Sequence, residues 1–96
     1  MVKNKDVILS FINGLSAYNT NLRSTSSKLY SYNTCIAEHL GFINGCETII
    51  VNKTKYSKLT STIQNMLINT LNHLGIYRIY IVDNIDKNTD CLNHLI

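Results

Sequence analysis

The segment from Ser57 to Gly75 constrains the fold of this 96-residue chain more than any other part of it. Ser57 is a suitable helix N-cap, and Gly75 can adopt the left-handed conformation that ends a helix. Between them the apolar residues recur at helical spacing and form one continuous face: Leu59, Ile63, Met66, Leu67, Leu71 and Leu74. We therefore predict a long helix over 57–75 that lies on another layer of structure.

A change to a hydrophobic period of two predicts strands before this helix. The alternation begins at Lys28, and apolar residues return before Asn52, so we expect a β-hairpin over 28–52. Asn44 and Gly45 favour a type I′ turn because both residues tolerate positive φ. Gly41 predicts a bulge in the outgoing strand.

The remaining segments give weaker patterns. Apolar residues at helical spacing predict an N-terminal helix over 1–15, which Gly14 would end. The stretch 16–27 is dense in Ser, Thr and Asn and predicts a long loop. β-branched and aromatic residues predict a strand over 76–83, and 84–96 is a polar C-terminal tail.

These elements, in the order α-β-β-α-β, predict a single small α+β domain over 1–96. We expect a three-stranded, mostly antiparallel sheet packed on the one long helix. The edges of so small a sheet are open to pairing with another chain, so the sequence is compatible with a homodimer.

Composition limits the class of protein and the cellular compartment that we expect. An apolar fraction of 45% and a charged fraction of 16% are typical of a globular protein. No apolar run approaches the ~20 residues that span a membrane, and the N-terminus lacks the pattern of an export signal. The 3 cysteines have no disulfide spacing. We expect a cytoplasmic protein with no membrane partner.

The residue bias points to a source. The chain is rich in Asn, Ile, Lys, Thr and Tyr, most of which have AT-rich codons, and it contains no Pro or Trp. This bias indicates a low-GC bacterial host, or a phage or plasmid that lives in one. The net charge of +3 is too small to indicate nucleic-acid binding by itself.

Catalytic and metal-binding patterns are weak. Cys35, His39, Cys91 and His94 could supply four zinc ligands, but Cys35 lies in a predicted strand, unlike a zinc-finger ligand. We interpret them as structural thiols and surface imidazoles. A Cys-His nucleophile lacks a recognisable strained turn, and no glycine-rich phosphate loop or carboxylate pair is present in the sequence. We expect no enzyme activity and no cofactor.

The segment between the hairpin and the long helix is the first candidate binding surface. It gathers lysines, a tyrosine and hydroxyls at a helix N-terminus, where main-chain N–H groups favour an anion: Lys53, Lys55, Tyr56, Ser57, Lys58 and Ser61. A phosphate of nucleic acid or an acidic protein surface would fit there. A capped helix with a solvated basic turn explains the same residues without a ligand.

Two tyrosines give a second candidate surface. Tyr30 and Tyr32 would share one face of the predicted strand, where they could stack on bases or contact a protein. The opposite assignment, with both rings in the core, is equally compatible with the pattern. Arg23 and Arg78 are the further cations that we assign to this partner-binding or phosphate-binding surface.

A resemblance rests on 21–25 (NLRST), 29–37 (LYSYNTCIA) and 52–57 (NKTKYS), followed by Thr60, Ser61 and Gln64. Together these segments resemble a family of small proteins of unknown function from phages and mobile elements of Gram-positive bacteria. The family pairs a Tyr-x-Thr-x-Ile-Ala strand with a Thr-Lys-Tyr-Ser helix start. Here Leu59 and Ile63 stand where we expect the family to have Thr and His.

The resemblance implies a setting rather than an activity. In that setting, a small non-enzymatic domain is similar in kind to anti-CRISPR proteins, which block a nucleic-acid-targeting complex by occupying its surface. We therefore expect an interaction protein that inhibits a host defence complex, with a host protein or ribonucleoprotein as its partner. The alternative is a small accessory or regulatory protein that binds DNA or RNA directly.

Overall fold

The computed structural model describes residues 3–86. It contains two helices and six strands in the order α1 (Asn4–Ile12), β1 (Ala17–Tyr18), β2 (Leu22–Ser24), β3 (Lys28–Ser31), β4 (Thr34–Ile43), β5 (Cys46–Asn52), α2 (Lys58–Leu74) and β6 (Arg78–Val82). Within this part of the chain, no helix is long and apolar enough to cross a membrane.

The strands form one mixed sheet in the order β1-β2-β3-β4-β5-β6. The first five strands are each antiparallel to the next. The last strand, β6, returns through α2 and pairs with β5 in parallel. The predicted fold class is therefore wrong in its architecture: the chain is α+β, but its sheet has six strands, two of them parallel, and two helices pack on it.

One reason for the error is the segment 16–27, which was predicted as a loop and contains β1 and β2. Its hydroxyls do not compete with the sheet here, because they complete it. Ser24 is buried, and its Oγ accepts the N–H of Ala17 at 2.9 Å and donates to the Leu15 carbonyl at 2.9 Å. A side chain that hydrogen-bonds the neighbouring strand stabilises strand structure despite its low intrinsic preference.

The second reason is the strand predicted from Lys28 onward, which is interrupted by a turn at Tyr32 and Asn33. Ser31 and Thr34 pair across this turn, so β3 and β4 form a hairpin. Tyr32 has a φ of 56°, a conformation that a bulky residue seldom adopts. Tyrosine ordinarily favours strands, so the sequence conceals the turn.

The more local predictions agree with the structure. The hydroxyl of Ser57 caps α2 by accepting the N–H of Thr60 at 3.1 Å. Gly75 ends the helix with a φ of 71°. Asn44 and Gly45 both have positive φ between β4 and β5, and the pairing of these strands shifts at Gly41.

Both helices pack on one face of the sheet. The core on that face combines apolar side chains of α1 and α2 with those of the strands: Val7, Ile8, Phe11, Ile12, Leu22, Leu29, Ile36, Ala37, Ile49, Val51, Ile63, Leu67 and Leu71. A smaller cluster of Tyr30, Cys35 and Ile50 lies on the second face. The pattern of alternation fixes which side chains reach each face.

Candidate functional site

The strand register brings two turns and the end of β5 to one end of the sheet. The β1–β2 turn and the β3–β4 turn are joined where the N–H of Tyr32 donates to the Asn21 carbonyl at 2.7 Å. The end of β5 lies beside them, because Asn52 Nδ2 donates to the Cys35 carbonyl at 3.2 Å. We call this the tyrosine–lysine end: residues 18–23, 30–33, 52–61 and 82–86.

Hydroxyl groups link α2 to the sheet at this end. Ser57 Oγ donates to Thr60 Oγ1 at 3.1 Å, and Thr60 Oγ1 lies 2.9 Å from Ser31 Oγ. Ser31 and Thr60 are buried. Because these hydroxyls bind one another and the N–H of Thr60, the side chains of the cap are engaged without an anion.

A second network joins the segment after β5 to the segment after β6. Asn52 Nδ2 also donates to Tyr56 Oη at 2.8 Å, and Tyr56 Oη donates to the Ile85 carbonyl at 2.6 Å. The amide of Gln64, which is buried in α2, donates to the carbonyls of Asn52 and Thr54 at 2.5 and 3.1 Å. Tyr56 and Gln64 therefore act as structural ties, and this network accounts for much of the NKTKYS motif.

The lysines of this end differ in whether their ammonium groups have partners. Lys53 Nζ donates to Asn65 Oδ1 at 3.0 Å. Lys55 and Lys58 are exposed, and no carboxylate in residues 3–86 pairs with either. Two acidic residues, Asp83 and Asp86, follow β6 at the same end, so the surface has mixed charge.

Tyrosine rings dominate the exposed part of the end. Tyr18 is 74% exposed and Tyr32 53% exposed. The guanidinium of Arg23 lies 4.3 Å from the centroid of the Tyr30 ring, which is buried. An exposed arginine that stacks on an aromatic ring is an arrangement that binding surfaces favour.

Tyr32 combines an exposed ring with an unfavourable backbone conformation. Its left-handed conformation costs on the order of 1 kcal/mol for a residue that is neither Gly, Asn nor Asp. The hydrogen bond from its N–H to Asn21 holds this conformation, and Asn21 is itself fixed because its N–H donates to Asn19 Oδ1 at 2.8 Å. Residues that retain such conformations cluster at functional sites.

The structure thus brings together nine of the ten predicted site residues, in different roles. Lys55, Lys58, Tyr32 and Arg23 are exposed, whereas Tyr56, Ser57 and Tyr30 are engaged in internal contacts. Lys53 and Ser61 are partly buried.

Arg78 is the exception, since it pairs with Thr48 near the opposite end of β5. The most exposed tyrosine, Tyr18, was missed because its segment was predicted as a loop.

The Cys and His residues do not assemble into the zinc site considered from the sequence. Cys35 belongs to the cluster on the second face, and its Sγ lies 3.5 Å from the Ala37 carbonyl. His39 lies on the helix face, where its ring is 4.5 Å from that of Phe11. No metal-binding group of His, Cys, Asp and Glu forms within residues 3–86, and Cys91 and His94 lie outside them.

A cluster of titratable groups that the sequence did not reveal lies at the opposite end of the sheet. His39 Nε2 is 2.6 Å from the Phe11 carbonyl, so this nitrogen carries the proton. His39 Nδ1 lies 3.9 Å from Glu47 Oε1. Burial and the nearby Glu47 carboxylate raise the pKa of Tyr77. These three side chains line a small pocket with the end of α1.

Comparisons with protein-family profiles, with curated protein sequences and with solved structures found no match.

Proposed function

We propose that this chain is a non-catalytic interaction protein that recognises a larger partner with its tyrosine–lysine end. The observation that carries the proposal is Tyr32, whose exposed ring is presented by a strained backbone. A residue with no binding role would be replaced at little cost by Asn or Gly, which suit a left-handed conformation. Tyr18 and Arg23 extend the same surface.

A protein surface fits this end better than an extended phosphate chain. The hydroxyls at the start of α2 are occupied by internal hydrogen bonds, which leaves no preformed anion site of side chains there. Asp83 and Asp86 lie beside the lysines and would repel phosphates. Tyrosine and arginine in a field of mixed charge are typical of protein interfaces.

For the identity of the partner we rely on the resemblance to phage and mobile-element proteins of Gram-positive bacteria. In that setting the partner is a host complex that targets nucleic acid, and the chain inhibits it by occupying its surface, as anti-CRISPR proteins do. The small size of the chain and its exposed aromatic residues support a blocking role, which needs affinity but no chemistry.

An interference assay tests this proposal. The chain is expressed in low-GC Gram-positive strains that carry a CRISPR or a restriction system, and the plating efficiency of a targeted phage is measured. We expect protection by the wild type and its loss in Tyr32→Asn. The matched control is Phe42→Asn, which removes a 78% exposed aromatic ring at the other end of the sheet and should retain protection.

Thermal unfolding accompanies the assay, since Tyr32→Asn should unfold at the same temperature as the wild type or above it. A loss of protection in a fully folded variant then reports on binding. Absence of protection by the wild type against every system tested would overturn the proposed target. Equal protection by both variants would overturn the role of the tyrosine–lysine end.

Direct binding of DNA or RNA is the second candidate, and it is favoured by Lys55 and Lys58, which are exposed at the same end as Tyr18 and Tyr32 and pair with no carboxylate within residues 3–86. A gel-shift titration with single-stranded and double-stranded DNA and with RNA, repeated across salt concentrations, decides this case. Each phosphate contact contributes a slope of about 0.7 to 0.9 in log affinity against log salt. A combined Lys55→Gln and Lys58→Gln variant should then reduce the slope by about 1.5.

A further inference from the structure

An open groove runs along β1, the first edge of the sheet. It has a volume of about 910 Å³, and its lining is mainly apolar in character despite the hydroxyls that border it. The side chains that shape it include Ser16, Tyr18, Thr20, Arg23 and Thr25. The volume is that of a site for a ligand or a short peptide segment.

The hydrogen-bond pattern of β1 shows where its main chain points. The N–H of Asn19 donates to the Leu22 carbonyl at 2.8 Å, so these two residues form a hydrogen-bonded pair. The next pair, Tyr18 with Arg23, is therefore of the type that exchanges no hydrogen bonds. The N–H and C=O of Tyr18 consequently point away from β2, toward the outer edge of the sheet.

The other side of β2 supports this assignment independently. The N–H of Thr25 donates to the Lys28 carbonyl at 2.9 Å and that of Tyr32 to the Asn21 carbonyl. By the same alternation, the main chain of Arg23 is directed to Tyr30 of β3 and away from β1. The outward direction of the Tyr18 main chain thus follows from two neighbouring strand pairs.

The side chains of the groove favour an acidic ligand. Arg23 is exposed on the groove wall, and within residues 3–86 no carboxylate pairs with its guanidinium. The Tyr30 ring fixes that guanidinium from one side at 4.3 Å, which leaves its N–H donors directed along the plane of the group. The ring of Tyr18 adds apolar surface beside it.

We propose that this groove binds an extended acidic segment of a protein partner, which adds to the sheet as a strand along β1. The partner main chain would hydrogen-bond the outward N–H and C=O of Tyr18, and a carboxylate would bind Arg23. The inference rests on the proposed function, because it assigns the partner of the tyrosine–lysine end to one class, an acidic peptide segment.

The test uses the whole chain labelled with nitrogen-15 and two blocked hexapeptides, TEVEVT and TKVKVT, as probes. We expect the acidic peptide to bind at least tenfold more tightly and to shift the amide resonances of Ser16, Tyr18 and Thr20 most. Arg23→Gln should remove the preference for the acidic peptide. The matched control is Arg78→Gln, an exposed arginine of β6 that should keep the preference.

Tyr18→Pro tests strand addition itself. Proline removes an N–H that β2 does not use and is tolerated in an edge strand, so the variant should fold, which its NMR spectrum verifies. It should lose at least tenfold in affinity for TEVEVT, whereas Tyr18→Ala, which also removes the ring but keeps the N–H, should lose less than Tyr18→Pro. Equal binding of both peptides, or wild-type binding by a folded Tyr18→Pro, would overturn the inference.

Two further measurements distinguish between the molecules that could occupy the groove. Displacement of TEVEVT by oligothymidine would assign the groove to nucleic acid, and concentration-dependent dimers that dissociate with the peptide would assign it to a second copy. Either result overturns the acidic partner. Protection in the interference assay is scored separately. Protection without peptide binding would contradict only the proposal that the groove binds an acidic segment. Peptide binding without protection would contradict only the proposed target.

Discussion

At the tyrosine–lysine end, a network of polar side chains joins the loops to one another, whereas the opposite end leaves several large apolar side chains in solvent. We call the second region the hairpin end: residues 13–16, 25–27, 40–47 and 74–77. Asn52 and Thr60 exemplify the first region, because their polar atoms reach neighbouring segments. Phe42 and Ile76 exemplify the second, at 78% and 66% exposure.

The difference teaches that a motif rich in Lys, Thr, Tyr and Ser can be mostly structural. The residues that look most like a ligand site in sequence, such as Ser57, complete hydrogen bonds that the fold itself requires. The exposed residues that remain, Tyr32 and Lys55, are positioned by that framework. Because this framework already restricts the exposed ring, the ring loses less conformational entropy when it binds a partner.

The largest effect should come from Asn52→Ala, which tests whether the tyrosine–lysine end depends on its network. The change removes the hydrogen bonds that the Asn52 side chain makes to the Cys35 carbonyl, the Tyr56 hydroxyl and the N–H of Thr54. We expect a loss of about 2 to 4 kcal/mol in the free energy of unfolding, measured by urea denaturation. The control, Asn65→Ala, removes an exposed amide bound to Lys53 and should change it by less than about 0.5 kcal/mol. Similar values for both variants would show that the Asn52 network does not stabilise the tyrosine–lysine end.

A smaller loss should follow Thr60→Val, which keeps the shape of the side chain and deletes the hydroxyl between Ser31 and Ser57. We expect about 1 to 2 kcal/mol, because the buried Ser31 hydroxyl loses its partner. Thr62→Val is the matched control, since the Thr62 hydroxyl is exposed and contacts only the carbonyl of its own helix. A Thr60→Val variant as stable as this control would show that the link between α2 and β3 is dispensable.

At the hairpin end, the stability should depend on alkaline pH through Tyr77. Burial and the Glu47 carboxylate raise the pKa of Tyr77 in the folded chain above the ordinary value of 10.0. The neutral phenol therefore contributes stability that is fully present below pH 10.0. This stability is lost as the pH rises through the raised pKa.

Glu47→Gln should lower the pKa of Tyr77 while burial continues to raise it, which an ultraviolet difference titration against Tyr77→Phe can measure. Phe42→Gln, which changes a neighbour without charge, serves as the comparison. An unchanged Tyr77 titration in Glu47→Gln would exclude the carboxylate as a cause.

The smallest effect should come from Phe42→Ser. The ring is mostly in solvent, and we expect a change below about 0.5 kcal/mol in the free energy of unfolding, with unchanged protection in the interference assay. Chemical denaturation and the assay supply both readings. A loss of more than about 1 kcal/mol in the free energy of unfolding would mean that the Phe42 ring stabilises the fold. A loss of protection would mean that the hairpin end takes part in binding.

The sequence predicts the elements of this fold that depend on local chemistry. The caps of α2, the turn at Asn44 and Gly45 and the bulge at Gly41 follow from residues that suit those conformations. The strands β1 and β2 were not predicted, because the hydroxyl side chains of this segment, which were expected to compete with the sheet, form hydrogen bonds to it instead. Ser24 illustrates this: only the folded chain shows that its hydroxyl is bound by Leu15 and Ala17.

The candidate site was predicted in its composition but not in its roles. Lys55 and Lys58 are exposed as cations of a binding surface would be, while Tyr56 turned out to be a tie between loops. The turn at Tyr32 has no signal in sequence, since tyrosine disfavours positive φ. Both surprises arise where tertiary contacts outweigh local preference.

The parallel return of β6 also bears on synthesis at the ribosome. All antiparallel pairs lie before α2 and can form as the chain emerges, but β5 has no neighbour on its other side until residues 78–82 follow. During that interval the edge of β5 exposes a run of Thr48 to Val51 that is fully buried in the finished fold. The amphipathic helix α2 is translated next and can shield Ile49 and Val51, the residues of that run on the helix face, which would limit aggregation of the nascent chain.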